Sequence, residues 1–262
     1  MSSPSAERGT LGTVRNATVL LGLLSSGPAF QQLTELAKRS GMSLPTVHRL
    51  LKSMANAGLV EQHPQSSRYS LGPELVRLSE RYLSRHPVVS TLAPYLVDLR
   101  RATKATILVA LLVRGSVVAV DRIDGDDVGG VYRTSHRVHS AFETASGRIL
   151  LSRSSLEAWE EAIEVATAAG ITPAGMCPHE YTKAHREEWA AQDHLALADP
   201  QLPDFTELAV PVLDQHDEVR ASLSAMVSTE ALSSADSETF SQRVIRQLLL
   251  AATAARQAMG NA

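Results

Sequence analysis

Residues 39–72 read RSGMSLPTVHRLLKSMANAGLVEQHPQSSRYSLG, and this stretch decides the fold. Ser43 stands where a helix takes its N-cap, with Leu44 and Pro45 in the first turn, where a proline forfeits no helical hydrogen bond. Val47, Leu50, Leu51 and Met54 follow at i, i+3, i+4 and i+7, one stripe to bury. Thr46, His48, Arg49, Lys52 and Asn56 take the opposite face. Gly58 ends the helix, and residues 59–60 and 69–71 can pair as a two-stranded ribbon across a tip at residues 63–68. Taken alone, this is either a surface helix beside a hairpin or the recognition helix and wing of a winged helix-turn-helix. The preceding residues favour the second. Leu33, Leu36 and Ala37 sit at helical spacing, and Ser40-Gly41 supplies a stop. Two short helices around a glycine turn, then a ribbon, make a domain whose second helix fits the major groove of double-stranded DNA and whose wing reaches backbone or minor groove.

The groove-facing candidates follow from position. Ser43 and Thr46 can bind phosphate or base edges at the helix start, and His48, Arg49 and Lys52 point outward. Arg68, at the far end of the ribbon, reaches backbone. Arginine paired to guanine is the commonest specific base contact, so Arg49 is either a base reader or a phosphate clamp. Charge agrees with such a head. Residues 1–85 hold ten Lys/Arg against five Asp/Glu, while the remainder holds fifteen against twenty-three, so a basic head precedes an acidic body. That suits phosphate contact by the head alone, and the modest excess argues for two heads per molecule.

The run LTELAKRSGMSLPTVHRLLKSMANAGLVE, ending in RYSLG, resembles the N-terminal domain of the IclR family of bacterial transcription regulators, and the likeness extends more weakly over nearly the whole chain. The resemblance implies an α+β protein: an N-terminal winged helix-turn-helix, a linker helix, and a C-terminal small-molecule-sensing domain with a GAF-like fold. The expected limits are a disordered tail at 1–12, the DNA-binding domain at 13–72, the linker at 73–87 and the effector-binding and oligomerisation domain at 88–262. It further implies a homodimer, or a dimer of dimers, on operator DNA under a small-molecule effector. The alternative function is a constitutive DNA-binding regulator whose C-terminal domain only mediates assembly.

Outside the head, residue patterns give a coarser outline. Val14, Ala17, Leu21 and Leu24 share a face of a first helix, ended by Ser26-Gly27-Pro28. Leu75, Leu78 and Tyr82 form a narrow stripe that packs either on the chain's own core or against a second subunit. A further helix carries Val89, Leu92, Leu96 and Leu99 on one side. Residues 106–113 and 117–123, both β-rich, flank a short turn at Arg114-Gly115-Ser116. A possible strand follows at 128–133, then helices from 147 to 169 and from 183 to 195. Residues 208–213 and 219–227 read as paired strands, and Ser234 to Asp236 would cap a last helix.

Two segments resemble the family's effector-pocket stretches: residues 144–151, and residues 208–214 with 221–226. Carried over by position, the ligand-facing candidates are Ala145, Ser146, Glu207, Ser224, Met226 and, where the loop aligns poorly, Asp199. Backbone N–H groups at the helix start near Ser146 form a ready anion site. The chain also departs from the family pattern. Ser140 and Phe142 stand where Pro and His are common, Glu143 where a small residue is, and Glu207 where some relatives hold a cysteine. An acid at 207 disfavours a carboxylate ligand unless a cation such as Arg133 or Arg137 compensates.

Catalytic and metal readings find little support. His136 and His139 are three apart in an extended segment and face opposite ways, and His179-Glu180 lacks the second histidine of H-E-x-x-H because His185 is two residues too far. There is no G-x-S-x-G elbow and no glycine-rich phosphate loop. Cys177, the only cysteine, excludes an intrachain disulfide and fits a reducing cytoplasm. The longest apolar run considered, residues 107–113, is far too short to span a membrane. The expectation is a cytoplasmic regulator, not an enzyme, with no cofactor and no metal.

Overall fold

The structure is a computed structural model that describes residues 4–126, 138–171, 177–199, 201–233 and 237–260. The chain divides into two compact units, residues 1–82 and 83–262.

In the first unit, α1 (Pro4–Ser25), α2 (Leu33–Ser40) and α3 (Leu44–Asn56) precede a ribbon of β1 (Val60–Gln62) and β2 (Tyr69–Leu71). Helix α1 begins at Pro4 and runs through Gly9 and Gly12. The buried face of α1 differs from the expected one at a single position. Leu20 and Leu24 are buried, with Ala17 and Leu21 packed beside them, whereas Val14 is 65% exposed. The stripe thus runs at 17, 20, 21 and 24, the expected face with Leu20 in place of Val14.

Helix α2 stops at Gly41, whose φ of 67° suits a residue without a Cβ, and two residues later comes Ser43, the N-cap of α3. Val47, Leu50, Leu51 and Met54 are the buried residues of α3, as the spacing predicts. They close on Leu20, Leu24, Leu36, Val60 and Tyr69. Strand β2 pairs on both sides, antiparallel to β1 and through an isolated bridge to Gln31. Buried Gln31 donates its side-chain amide to Leu23 O at 2.7 Å and accepts from Arg39 at 2.8 Å, bracing the α1–α2 turn against the wing. Helix α4 (Glu74–Leu83) has no buried residue, and its Val76, Leu78 and Tyr82 lie exposed.

In the second unit, α5 (Pro87–Thr103) leads into an antiparallel sheet. Its strands are β3 (Thr106–Val113), β4 (Ser116–Ile123), β5 (Val138–Ser140), β6 (Leu195–Ala198), β7 (Phe205–Leu213) and β8 (Val219–Ser228), in the order β5-β4-β3-β8-β7-β6. Both large hairpins appear where β-rich runs flanking short turns predict them. Between β3 and β4 the two turn residues Arg114 and Gly115 have φ of 48° and 72°, the primed-turn geometry that matches strand twist. The β7–β8 turn is held by Asp214, which accepts from the His216 and Glu218 amides and from Arg220.

Strand alternation assigns the two faces. Leu208, Val210, Val212, Leu223, Ala225 and Val227 pack with α5 and α10 (Ser237–Gly260). The opposite face is covered by α6 (Ala145–Ser152), α7 (Leu156–Ala168) and α8 (Lys183–Ala191) through Phe142, Ile149, Trp159 and Trp189. Two expectations change. Helix α8 ends at Ala191, and Leu195 belongs to strand β6, which its pairing with Ala209 of β7 holds extended. Helix α6 starts at Ala145, two residues earlier than expected, because Thr144 caps it. A short α9 (Thr229–Ser233) follows β8. The possible strand at 128–133, Arg133, His136, Arg137 and the cap at 234–236 lie outside the described residues.

Candidate DNA interface and effector site

In the first unit the α3 face opposite the core carries His48, Arg49, Lys52 and Asn56, all exposed, with Thr46 half-buried. Ser43 occupies the N-cap position but makes no side-chain cap. Its hydroxyl lies 2.8 Å from that of Thr46, so the two candidates adjoin at the helix start, each with hydrogen-bonding capacity left for phosphate or base. Arg68 is exposed where β2 begins, and its carbonyl accepts from His63 N across the tip at 2.8 Å. The unit thus offers a convex cationic helix followed by a tight ribbon, with the apolar residues turned inward. The N-terminal turn of such a helix is the part that reaches base edges.

In the second unit, five of the effector candidates gather around the start of α6 and the adjoining sheet face. Thr144 accepts from Gly147 N at 3.0 Å and fixes the first turn. Ser146 donates its backbone N–H to Glu207 Oε2 at 3.1 Å and its hydroxyl to Glu207 Oε1. Ser222 donates to Ser146 Oγ at 3.0 Å. This chain of three buried side chains joins α6 to β7 and β8. Burying a carboxylate is costly unless its oxygens are hydrogen-bonded, and here both accept a donor at the positive end of a helix.

Beside it on the same sheet face are Ser224 and Met226, because residues two apart in β8 share a face. Met226 is the cross-strand partner of Glu207, and Ser224 that of Ala209. Ser224 is 0% exposed, and its hydroxyl has no hydrogen-bond partner among the described residues. Such a group costs about 1–3 kcal/mol until something supplies the bond. Met226 packs with Leu108, Leu202 and Phe205, an apolar patch separate from the two main cores.

Ala145 is buried in the first turn of α6 and has no polar side chain to offer. Asp199 sits elsewhere. Its carboxylate accepts from the Gln201 and Leu202 amides at 2.9 and 2.8 Å, closing the turn that carries Leu202 and Phe205 towards Met226. Ser222 was missed from the sequence, although the two-residue strand period that selected Ser224 and Met226 also selects it. Phe142 stacks on Tyr181 with centroids 4.9 Å apart and meets Trp159 edge-on at 5.5 Å, so this departure from the family pattern builds core. Arg148 lies 4.8 Å from the Trp189 ring centre and donates to Phe142 O, and burial pulls its guanidinium below the usual value against the opposing pull of Tyr181 and Glu188.

Among the described residues no three His, Cys, Asp or Glu side chains gather as a metal site, and no helix is long and apolar enough to cross a membrane. Nδ1 of His185 accepts from Thr182 N at 3.2 Å in a capping box at the start of α8.

Comparison with known proteins agrees with this geometry. The IclR helix-turn-helix domain matches residues 13–64, and the C-terminal domain of the bacterial transcriptional regulator IclR matches residues 80–255. The HTH-type transcriptional regulator XynR of Escherichia coli (strain K12) is 25% identical over 251 residues, covering 95% of this chain and 97% of its own. A glycerol operon regulatory protein of Streptomyces coelicolor is 25% identical over 84% of this chain and 85% of its own. An IclR transcriptional regulator from Alicyclobacillus acidocaldarius superposes with a TM-score of 0.70 at 25% identity, covering 94% and 98% of the two chains. An IclR homolog from Microbacterium hydrocarbonoxydans, crystallised with 4-hydroxybenzoate, shares the fold with a TM-score of 0.66 at 18% identity, covering 95% and 100%. With a winged head in one unit, a helix-covered sheet in the other, and both domains of one family matched in order, the chain belongs to the IclR family of bacterial transcriptional regulators.

Proposed function

We propose that this regulator binds a roughly palindromic operator through α3 and the wing of two or four subunits, and that a small molecule held in the C-terminal unit controls that binding. The observation that carries the proposal is the pairing, in one chain, of an exposed cationic recognition face with a buried polar cluster that holds an unsatisfied hydroxyl. Ser43, Thr46, His48, Arg49, Lys52 and Arg68 form the DNA contacts, and two heads would read half-sites about one helical turn, roughly 34 Å, apart. Ser146, Glu207, Ser224 and Met226 border the effector, with Ala145 and Asp199 shaping its surroundings. The exposed apolar residues of α4 support its role as the linker helix and a pairing surface. Ligand acts by differential affinity for two arrangements of the heads, and nothing more is needed to shift operator affinity. The relative that regulates a glycerol operon supports a catabolic operon as the target.

A second reading has one observation in its favour. The Ser222–Ser146–Glu207 chain is satisfied without any ligand, as expected of a domain that only mediates assembly. Thermal unfolding of the full-length protein against a panel of sugars, polyols, amines and aromatic acids separates the two. An effector present at about 100 times its Kd stabilises the protein by about 2.7 kcal/mol and changes operator affinity in the same samples. Operator binding indifferent to every compound, with no thermal shift, would leave the constitutive regulator.

A further inference from the structure

The N-terminus of α6 is already occupied. Its positive end and the Ser146 N–H are the features that would attract an external anion, yet both are turned to the carboxylate of Glu207, which arrives from β7, 61 residues further along the chain. Each Glu207 oxygen accepts one Ser146 donor, and each keeps a second lone pair. Next to it on the same face lie the unpartnered Ser224 hydroxyl and the Met226 side chain. The ensemble presents acceptors, one hydroxyl and an apolar patch. A second carboxylate brought here would meet a like charge and find the helix end taken.

We propose that Glu207 is a built-in anion filling the seat at the start of α6, so that the adjoining sheet face at Ser224 and Met226 takes a hydrogen-bond-donating effector, hydroxyl- or amine-bearing and without a carboxylate. This rests on the reading of the C-terminal unit as an effector domain and names the class of molecule it accepts. The ligand donates to the free lone pairs of Glu207, exchanges a hydrogen bond with Ser224, and lays its carbon skeleton on Met226. Glu207 is therefore a specificity determinant, and its two bonds to Ser146 are what bar an acid from that position.

Vacating the seat tests this directly. Glu207→Ala removes the carboxylate and leaves a cavity at a helix N-terminus, which free acetate can enter. In full-length protein at constant ionic strength, acetate at several times its Kd should raise the melting temperature of Glu207→Ala by about 2–4 °C. Wild type and Glu207→Gln, whose seats stay filled, should not respond relative to chloride. If Glu207→Ala does not fold, Glu207→Ser opens the same space with a smaller loss of hydrogen bonding. Acetate that stabilises neither small variant, or that stabilises wild type equally, overturns the proposal whatever the operator binding does. A carboxylate that stabilises wild type and shifts its operator binding also overturns it, while leaving effector control itself intact.

Discussion

Gly147→Ala should lower the unfolding midpoint of the C-terminal unit by roughly 4–8 °C, from a steric cost of about 3 kcal/mol less about 1 kcal/mol in favour of alanine, at about 2–4 °C per kcal/mol for a unit of this size. Gly147 lies in the first turn of α6, and a Cβ there would meet the backbone of Ala141, whose Cα would be only 2.6 Å away. Two effects oppose the loss. Alanine is the better helix former, and it narrows the unfolded ensemble, for roughly 1 kcal/mol in its favour. Sterics should win, because the obstacle is main chain and cannot rotate aside. The consequence reaches the site as well: Gly147 N is the donor that Thr144 accepts, and Ser146 precedes it, so a displaced turn pulls both Ser146 donors away from Glu207. Calorimetry of the variant checks the stability, and a midpoint within a degree of wild type would mean that α6 approaches residue 141 less closely than described.

Leu51→Ala should disable the head selectively. Leu51 is fully buried among the helices and wing of the first unit, and truncating such a leucine costs about 2–5 kcal/mol. A unit of that size holds only about 4–12 kcal/mol in total at the usual stability per residue. The loss therefore leaves little margin, and operator affinity should fall steeply between 20 and about 37 °C as the folded fraction declines. Hydrogen exchange resolves where the damage lies. Amides of α2, α3 and the wing should lose protection while those of β3, β7 and β8 keep theirs. Uniform loss across both units would contradict the assignment of Leu51 to a core of the head alone.

The head was legible because everything that shapes it is local. The Ser40-Gly41 stop, the Pro45 start and the 47, 50, 51, 54 stripe each act within a few residues of chain, and all agree. The two hairpins were legible for the same reason, since short turns join their strands. What the sequence hid was non-local. Strand β6 is only four residues long and exists through its pairing with β7, so nothing in LALA alone distinguished it from the end of α8. In α1 the expected face holds at Ala17, Leu21 and Leu24; Val14 also satisfies that spacing, but packing against Leu36 and Leu51 takes in Leu20 instead. At the candidate effector site, resemblance offers Ser146 and Glu207 as separate positions. That one serves as the other's anion depends on a contact across 61 residues, which no local pattern encodes.

The central claim, sequence-specific DNA binding through α3, is tested most directly by gel shift of the wild-type protein and Arg49→Ala on the DNA upstream of its own gene and neighbours, with salt titrated and random-sequence competitor present. The account predicts a wild-type complex that survives competitor and weakens steeply with salt. It predicts that Arg49→Ala loses about 1–3 kcal/mol on that DNA, with less discrimination against the competitor. Equal losses on cognate and random DNA would reduce Arg49 to a phosphate contact. Wild-type binding to every fragment no tighter than to random DNA, with or without the compounds that shift its melting, would contradict the claim.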